Sequence, residues 1–261
     1  MRGLLIYATA AAFLVATGIA SHAAMKEVPY PLVKLRLDEA YTPDGAFAKM
    51  QKSFADAIAK KDAQALFSLV GPTFVWMSQG ELSNRFDLGR DALHNFKVVF
   101  GFREFGKDAD GPVADGPNWE ALTTFAADKF FYAATDTLVC GPTGATIADE
   151  RIFDTARRMI GADDSVEWYF TVAETAATAT PSDGGSTVGR VSQLALPAMN
   201  VYPPSPGGPS APPATHLQVL LPSGKSGWIP ISAAIPLVTD RLCYAVTPDG
   251  NWKIAGFDQA Q

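Results

Sequence analysis

The last third of the chain, from residue 187 onward, is a series of short β-prone runs separated by turns that contain Gly and Pro. Strands are predicted at GRVSQL, AMNVY, HLQVLL, GWIPI, RLCYAV and NWKIAGF. Short strands at regular spacing favour a small barrel or sandwich over a helical fold. The segment PSGKSG is predicted to be a hairpin turn, because Val219 stands where a phosphate-binding loop would need its first glycine.

The first residues have the pattern of a secretory signal peptide. Arg2 precedes an apolar run from Leu4 to Ala20, and small residues follow up to Ala24. This pattern predicts a signal peptide over residues 1–23 and a periplasmic or secreted protein with no stable membrane span after cleavage. The alternative is that the apolar run is retained as an N-terminal membrane anchor.

The chain has two cysteines, Cys140 and Cys243. In an exported protein both would meet an oxidising compartment, which favours a disulfide between them. The alternative is two buried free thiols. A disulfide would also remove both residues as candidate nucleophiles.

The composition is that of a folded, acidic protein. Hydrophobic residues make up 48% and charged residues 18% of the chain, so it can bury a core and is not of the disordered type. The formal net charge of −6 gives no electrostatic attraction for nucleic acid or an anionic membrane surface. Nucleic acid is therefore not an expected partner.

The N-terminal half shows helical spacing in several places. A helix is predicted to start near Thr42, Asp62 is predicted to cap a second one, and further helices are predicted at RDALHNFKVVF, WEALTTFAADKFF and DERIFDTARRMI. The segment 175–186, TAATATPSDGGS, is predicted to be a linker. The predicted fold class is α+β, with an α-rich domain at 25–174 and a small β-barrel with an extra C-terminal hairpin at 187–261.

The C-terminal third resembles the bacterial Src-homology-3-like (SH3-like) domains of exported proteins. MNVYPPSPGGPS stands where that family has Asn-Val-Arg and a Gly-Pro-Ser loop, and LLPSGKSGWIPISAAIPL contains its Gly-Trp pair. The match covers about residues 188 to 238, with Tyr202 in place of the usual Arg. The resemblance implies a barrel that holds peptides or cell-wall fragments with aromatic and polar groups.

A second resemblance is to nuclear-transport-factor-2-like domains, which are cone-shaped. The helix pair FADAIAKKDAQALFSLVGPTFVW and the later GRDALHNF carry it, over about residues 46 to 100. That family continues with a long curved sheet, whereas this chain continues with WEALTTFAADKFF. The fold prediction is therefore not based on this resemblance.

The sequence contains no recognisable catalytic motif. Neither mature histidine, His94 or His216, stands in a His-Glu-x-x-His arrangement, and no Gly-x-Ser-x-Gly elbow is present. No metal site, catalytic residue or cofactor is predicted, and the paired acidic residues in loops are explained by turn formation. The candidate ligand-binding residues are Tyr202, Trp228 and Tyr244 in the barrel region.

Three functions follow as hypotheses. The first is an exported binding protein whose SH3-like barrel recognises cell-wall peptide, that is peptidoglycan peptide, or an envelope protein. The second is a small-molecule isomerase or hydratase with a cone-shaped N-terminal pocket, in which His94 or a buried Asp acts as the base. The third is a purely structural role in the envelope. An apolar pocket that contains a carboxylate or imidazole would favour the enzyme, whereas a filled N-terminal core would count against it.

Overall fold

The computed structural model describes residues 25–78, 81–83, 85–103, 116–182, 184–204 and 214–260. The predicted signal peptide lies outside the described residues. The same is true of most of the Gly- and Asp-rich loop before residue 116 and of most of the Pro-rich segment before residue 214.

Each α-helix in the described part of the chain begins at a side chain that accepts a backbone N–H of the first turn. The capping residues are Asp44, Asp62, Asp91, Asn118 and Asp149. These caps satisfy amides that have no partner within the helix, which fixes where each helix starts. The helices are α1 (Gly45–Ala59), α2 (Ala63–Phe67), α3 (Ala92–Val99), α4 (Trp119–Ala126) and α5 (Glu150–Ile160).

Strands account for more of the described chain than helices do. Several of the strands are only two or three residues long. A 3-10 turn covers Ile231–Ala233. The strands are β1 (Leu35–Leu37), β2 (Ala40–Tyr41), β3 (Val70–Ser78), β4 (Glu81–Leu82), β5 (Phe131–Thr135), β6 (Leu138–Gly141), β7 (Ala145–Ile147), β8 (Trp168–Phe170), β9 (Thr175–Thr178), β10 (Thr187–Val191), β11 (Leu196–Tyr202), β12 (His216–Leu220), β13 (Ser226–Pro230), β14 (Ile235–Pro236), β15 (Arg241–Val246) and β16 (Trp252–Gln259).

One seven-stranded sheet, the helix-packed sheet, has the order β2-β5-β6-β15-β16-β3-β4. Its neighbouring strands are antiparallel except β16 and β3, which run parallel. Apolar side chains of α1, α3 and α4 pack against it in one core that also contains residues of β15 and β16. The C-terminal strands β15 and β16 therefore lie in the same sheet as β2 to β6 from the first half of the chain.

A second seven-stranded sheet, the inserted sheet, has the order β10-β9-β13-β12-β11-β8-β14. The chain enters it after β6 and leaves it before β15, so it lies between two neighbouring strands of the helix-packed sheet. Helix α5 and the N-terminal segment that contains Tyr30, Val33 and Leu35 share a core with this sheet. Strand β1 pairs with β7 in a separate two-stranded sheet beside it.

The turn predicted at PSGKSG is present as the β12–β13 hairpin, with Leu220 opposite Ser226. Gly224 has a φ of +80°, in the left-handed region. A Cβ atom at this position would come within 2.7 Å of the Val28 and Pro29 backbone. The glycine is therefore required both by the turn and by the N-terminal segment that crosses it.

The predicted fold class is wrong in two respects. The N-terminal half is not a helix-rich domain, because it supplies β2 to β6 to the helix-packed sheet and its helices are short. The C-terminal hairpin, β15–β16, is not attached to the inserted sheet but forms the centre of the other one. Residues 175–178 of the predicted linker form β9, which pairs with β10 and β13.

Candidate functional site

Two of the three predicted ligand-binding aromatics lie together on the inserted sheet. The rings of Tyr202 and Trp228 meet edge to face, with 6.1 Å between their centroids. Tyr202 is on β11 and Trp228 on β13, and β12 lies between these strands. Tyr202 is 43% exposed, which is unusual for an aromatic side chain that already contacts another ring.

These two rings form one wall of an open groove of about 900 Å³. We call it the aromatic groove. Its described lining comes from the segment before β8 and from β8, β11, β12 and β13, and includes Glu167, Tyr169, Asn200, Tyr202, Leu217 and Trp228. A groove of this volume is within the range of sites that hold small molecules or short peptides.

The polar groups of the aromatic groove are held by hydrogen bonds. The Tyr169 hydroxyl donates to the Glu167 carboxylate at 2.8 Å, and the Asn200 amide donates to Gln218 at 2.8 Å. Burial and then the hydrogen bond to Glu167 raise the pKa of the Tyr169 hydroxyl. Glu167 is the single charged side chain among the described residues that line the groove. The groove therefore combines three aromatic rings with one negative charge and an oriented amide.

The third predicted aromatic, Tyr244, lies elsewhere. It is on β15 and is fully buried in the core of the helix-packed sheet, where its ring contacts Phe47 and Phe131. It cannot touch a ligand in the aromatic groove. The sequence RLCYAV does not show which face of the strand Tyr244 occupies. This central strand is buried on both faces, so polar and apolar residues do not alternate along it.

The disulfide between Cys140 and Cys243 is present, which confirms the prediction. The two residues are directly opposite each other on β6 and β15, and their Cα atoms are 4.0 Å apart. The bond therefore closes the base of the excursion that forms the inserted sheet.

A second cavity, of about 590 Å³, lies where the two sheets meet. We call it the junction cavity. One side comes from α4 and the residues between it and β5, and the other side comes from the segment 231–240. Its lining is mainly apolar and includes Phe125, Phe130, Pro142, Ile231, Ile235 and Pro236.

Asp128 is the residue of the junction cavity that sequence analysis missed. Its Oδ2 atom is buried and has no hydrogen-bond partner among the described residues. Burial raises the pKa of this carboxyl from its ordinary value of 3.8 to about 7. In the sequence, Asp128 is one acidic residue in FAADKFF, between a helical run and a β-prone run. A residue in such a position usually lies in a solvated turn, so it does not stand out as a site residue.

Two further buried polar atoms lie on β15 and α1. They are the Tyr244 hydroxyl oxygen and Nε2 of Gln51, and neither has a hydrogen-bond partner in the described part of the structure. Burial raises the pKa of Tyr244, the nearby Gln51 amide acts in the opposite direction, and Asp128 raises the pKa further. Buried polar atoms without partners are rare in folded proteins, so this cluster needs an explanation.

Large aromatic side chains pack between the helices and the helix-packed sheet. Phe47, Phe54, Phe96 and Phe100 are at most 2% exposed and belong to one core. His94 lies outside this core on α3, where Nδ1 is 3.2 Å from the Arg103 guanidinium. Burial and then the charge of Arg103 lower the pKa of His94. Among the described residues this core therefore leaves no cone-shaped pocket beside His94. An apolar pocket that contains a carboxylate, the feature that would favour an enzyme, is present instead at Asp128 in the junction cavity.

In the ranges that the structure describes, no three His, Cys, Asp or Glu side chains are grouped in a way that could hold a metal ion. No described helix has the length and apolar character needed to cross a membrane.

Comparisons with known proteins give no relative from which a function could be transferred. No protein-family model, no curated protein and no solved structure matches the chain. The function must therefore be argued from the two cavities themselves.

Proposed function

We propose that this chain is an exported binding protein that holds a cell-wall peptide in the aromatic groove. The observation that carries the proposal is the exposed Tyr202 ring, held edge to face against Trp228 in a groove of about 900 Å³. Exposed aromatic rings fixed by packing provide large contact areas at a small cost in conformational entropy.

Export is supported by two independent features. The first 24 residues have the composition of a secretory signal peptide. The chain also contains a buried disulfide, and such bonds are typical of proteins in oxidising compartments such as the periplasm.

The chemistry of the groove favours a peptide that carries an amino group. Glu167 gives the groove a negative charge, and no described lining residue brings a positive one. Cell-wall peptides expose amino groups that this carboxylate can bind, while the rings of Tyr169, Tyr202 and Trp228 cover their aliphatic parts. The Asn200 amide is available to the peptide backbone. An envelope protein would have to present a similar extended segment.

The two family resemblances are kept as proposals about the fold. The strands β9 to β13 contain the segments that resemble SH3-like domains, and they form one continuous antiparallel sheet. The long sheet that nuclear-transport-factor-2-like domains require is supplied here by β3, β5 and β6 together with the C-terminal hairpin. Both observations support the resemblances without naming a ligand.

The test is co-sedimentation of the purified mature protein with purified peptidoglycan. The variants are Tyr202→Ala and Glu167→Gln, and the matched control is Leu88→Ala, which removes an 80% exposed apolar side chain of the helix-packed half. Saturable binding is expected for the wild type and the control. Tyr202→Ala should weaken it about tenfold, because truncating an aromatic anchor typically costs more than 1 kcal/mol.

Glu167→Gln should weaken binding more at low salt than at high salt, because it removes a charge contact. Equal binding of all four proteins would show that the aromatic groove is not the site. Absence of binding in every case would reject cell-wall peptide as the ligand and direct the search to envelope proteins, by cross-linking from a photoreactive residue at position 202.

A further inference from the structure

The junction cavity is separate from the aromatic groove and has a different character. It is partly open to solvent and lies between side chains of both halves of the protein, and its walls are predominantly aromatic, aliphatic and proline side chains. Phe125 belongs to the core of the helix-packed sheet, whereas Ile235 belongs to the core under α5. A cavity of about 590 Å³ between two cores is large enough for a compact organic molecule.

Asp128 gives this apolar cavity its chemical specificity. The residue lines the cavity, and its buried Oδ2 atom has no hydrogen-bond partner among the described residues. An unpartnered carboxyl in an apolar wall is costly for the free protein, and a ligand that donates to it would remove much of that cost.

The charges around Asp128 favour a cation over an anion. Asp240 lies on the opposite wall, and its Oδ1 accepts the Ala260 N–H at 2.9 Å. Burial raises the pKa of Asp240, the Ala260 hydrogen bond lowers it, and Asp258 raises it again. Lys129 brings one positive charge to the rim, where it is exposed. On β15, burial and then the charge of Asp128 raise the pKa of the Tyr244 hydroxyl.

We propose that the junction cavity binds a small apolar amine, whose hydrocarbon part fills the cavity and whose ammonium group donates to the carboxylate of Asp128. This function is independent of peptide binding in the aromatic groove. The two carboxyl groups against one rim ammonium select the positive charge, and the apolar walls select against small hydrophilic amines.

The experiment uses the full mature protein and three naphthalene probes of the same shape. They are 2-naphthylmethylamine, 2-naphthylmethanol and 2-naphthoate, titrated by isothermal calorimetry at pH 8 and pH 6. At pH 8 the amine should bind at least about tenfold more tightly than the alcohol, as expected for a charge-assisted contact in an apolar site. The anionic naphthoate should bind most weakly.

The pH dependence is a second readout that needs no variant. With a carboxyl pKa of about 7, the ionised fraction of Asp128 falls about tenfold between pH 8 and pH 6. The affinity of the amine should fall by the same factor, since the amine itself stays protonated at both pH values. The affinity of the alcohol should remain unchanged.

Two variants locate the site. Asp128→Asn should make the amine and the alcohol bind equally at pH 8, and Ala234→Phe, which fills the cavity, should abolish binding of both. Asp136→Asn, in the exposed turn between β5 and β6, is the matched control and should bind like the wild type. The proposal is overturned if the amine shows no preference over the alcohol, if its preference survives Asp128→Asn, or if none of the probes binds.

Discussion

The carboxyl of Asp128 is predicted to destabilise the protein at neutral and alkaline pH. Its pKa rises from an ordinary value of 3.8 to about 7 on folding, because burial disfavours the charged form. The folded state therefore holds this proton more tightly than the unfolded state does. Stability is highest at low pH for this group and falls as the pH rises from about 4 through 7.

The size of the effect follows from the same two values. A difference of about three pKa units, at about 1.4 kcal/mol each, corresponds to about 4 kcal/mol lost once the pH exceeds 8. This figure is an upper limit, because the side chain keeps some contact with solvent at the cavity. About 2 to 3 kcal/mol of the loss is expected between pH 5 and pH 8, since part of it occurs below pH 5.

The perturbation is Asp128→Asn, which keeps the shape of the side chain and cannot ionise. Stability is measured by unfolding in urea, followed by tryptophan fluorescence with the disulfide intact. From pH 5 to pH 8 the stability of the variant relative to the wild type should rise by about 2 to 3 kcal/mol. The contribution of Asp240, whose pKa is also raised, is present in both proteins and cancels in the comparison.

The control is Asp136→Asn, which removes an exposed carboxylate and should follow the wild type at every pH. Parallel stability curves for Asp128→Asn and wild type between pH 5 and pH 8 would refute the reasoning. Such curves would mean that the carboxylate is paired with a positive charge or solvated in the folded protein. The argument for an amine site at Asp128 would then be weaker.

Three further predictions concern the framework. Phe47→Ala removes a fully buried ring at the centre of the helix-packed core and should cost about 3 to 5 kcal/mol in urea unfolding. Gly224→Ala should lower the melting temperature. The added Cβ would come within 2.7 Å of the crossing backbone at Pro29, and φ at this position is +80°. An unchanged melting temperature would show that the crossing segment moves freely. The double variant Cys140→Ser and Cys243→Ser, which opens a loop with a separation of 103 residues, should lose about 4 to 5 kcal/mol, and no loss under non-reducing conditions would contradict this.

Local signals predicted many of the elements correctly. Asp62 caps α2 as expected, α3 and α5 lie within the predicted helical segments, and the PSGKSG turn forms a hairpin. These features depend on capping, on helical periodicity and on turn residues, which are all encoded within a few positions. The sequence therefore contains enough information for most of the elements, including the strands after residue 187.

The arrangement of the sheets could not be predicted in the same way. The parallel pairing of β16 with β3 joins Ile254 to Val70, which are far apart in the chain. Such a pairing has no turn and no local pattern between the two strands. Local patterns therefore predict that the C-terminal hairpin joins the nearest strands in sequence, although its core contacts are with α1 and β3.

The candidate site residues also differ in whether local sequence patterns can predict them. Tyr202 and Trp228 are predicted as candidates from local signals, namely a ring next to a Pro-rich segment and a Gly-Trp pair. The position of Tyr169 on the other face of its strand can also be predicted, because in WYF it alternates with the buried Trp168 and Phe170. The role of Asp128 cannot be predicted from local sequence, because its cavity is completed by residues 231 to 240, which are about a hundred positions away in the chain.

The path of the chain decides how these sites can be separated by experiment. A truncation before β8 would remove the inserted sheet, but it would also remove β15 and β16 from the centre of the helix-packed sheet and expose its core. The inserted sheet must instead be excised with two cuts, after β6 and before β15. These two ends lie on neighbouring strands and are joined by the disulfide, so a short turn can reconnect them. The segment before β2 has to be removed together with the inserted sheet, because Tyr30, Val33 and Leu35 pack in the core of that sheet.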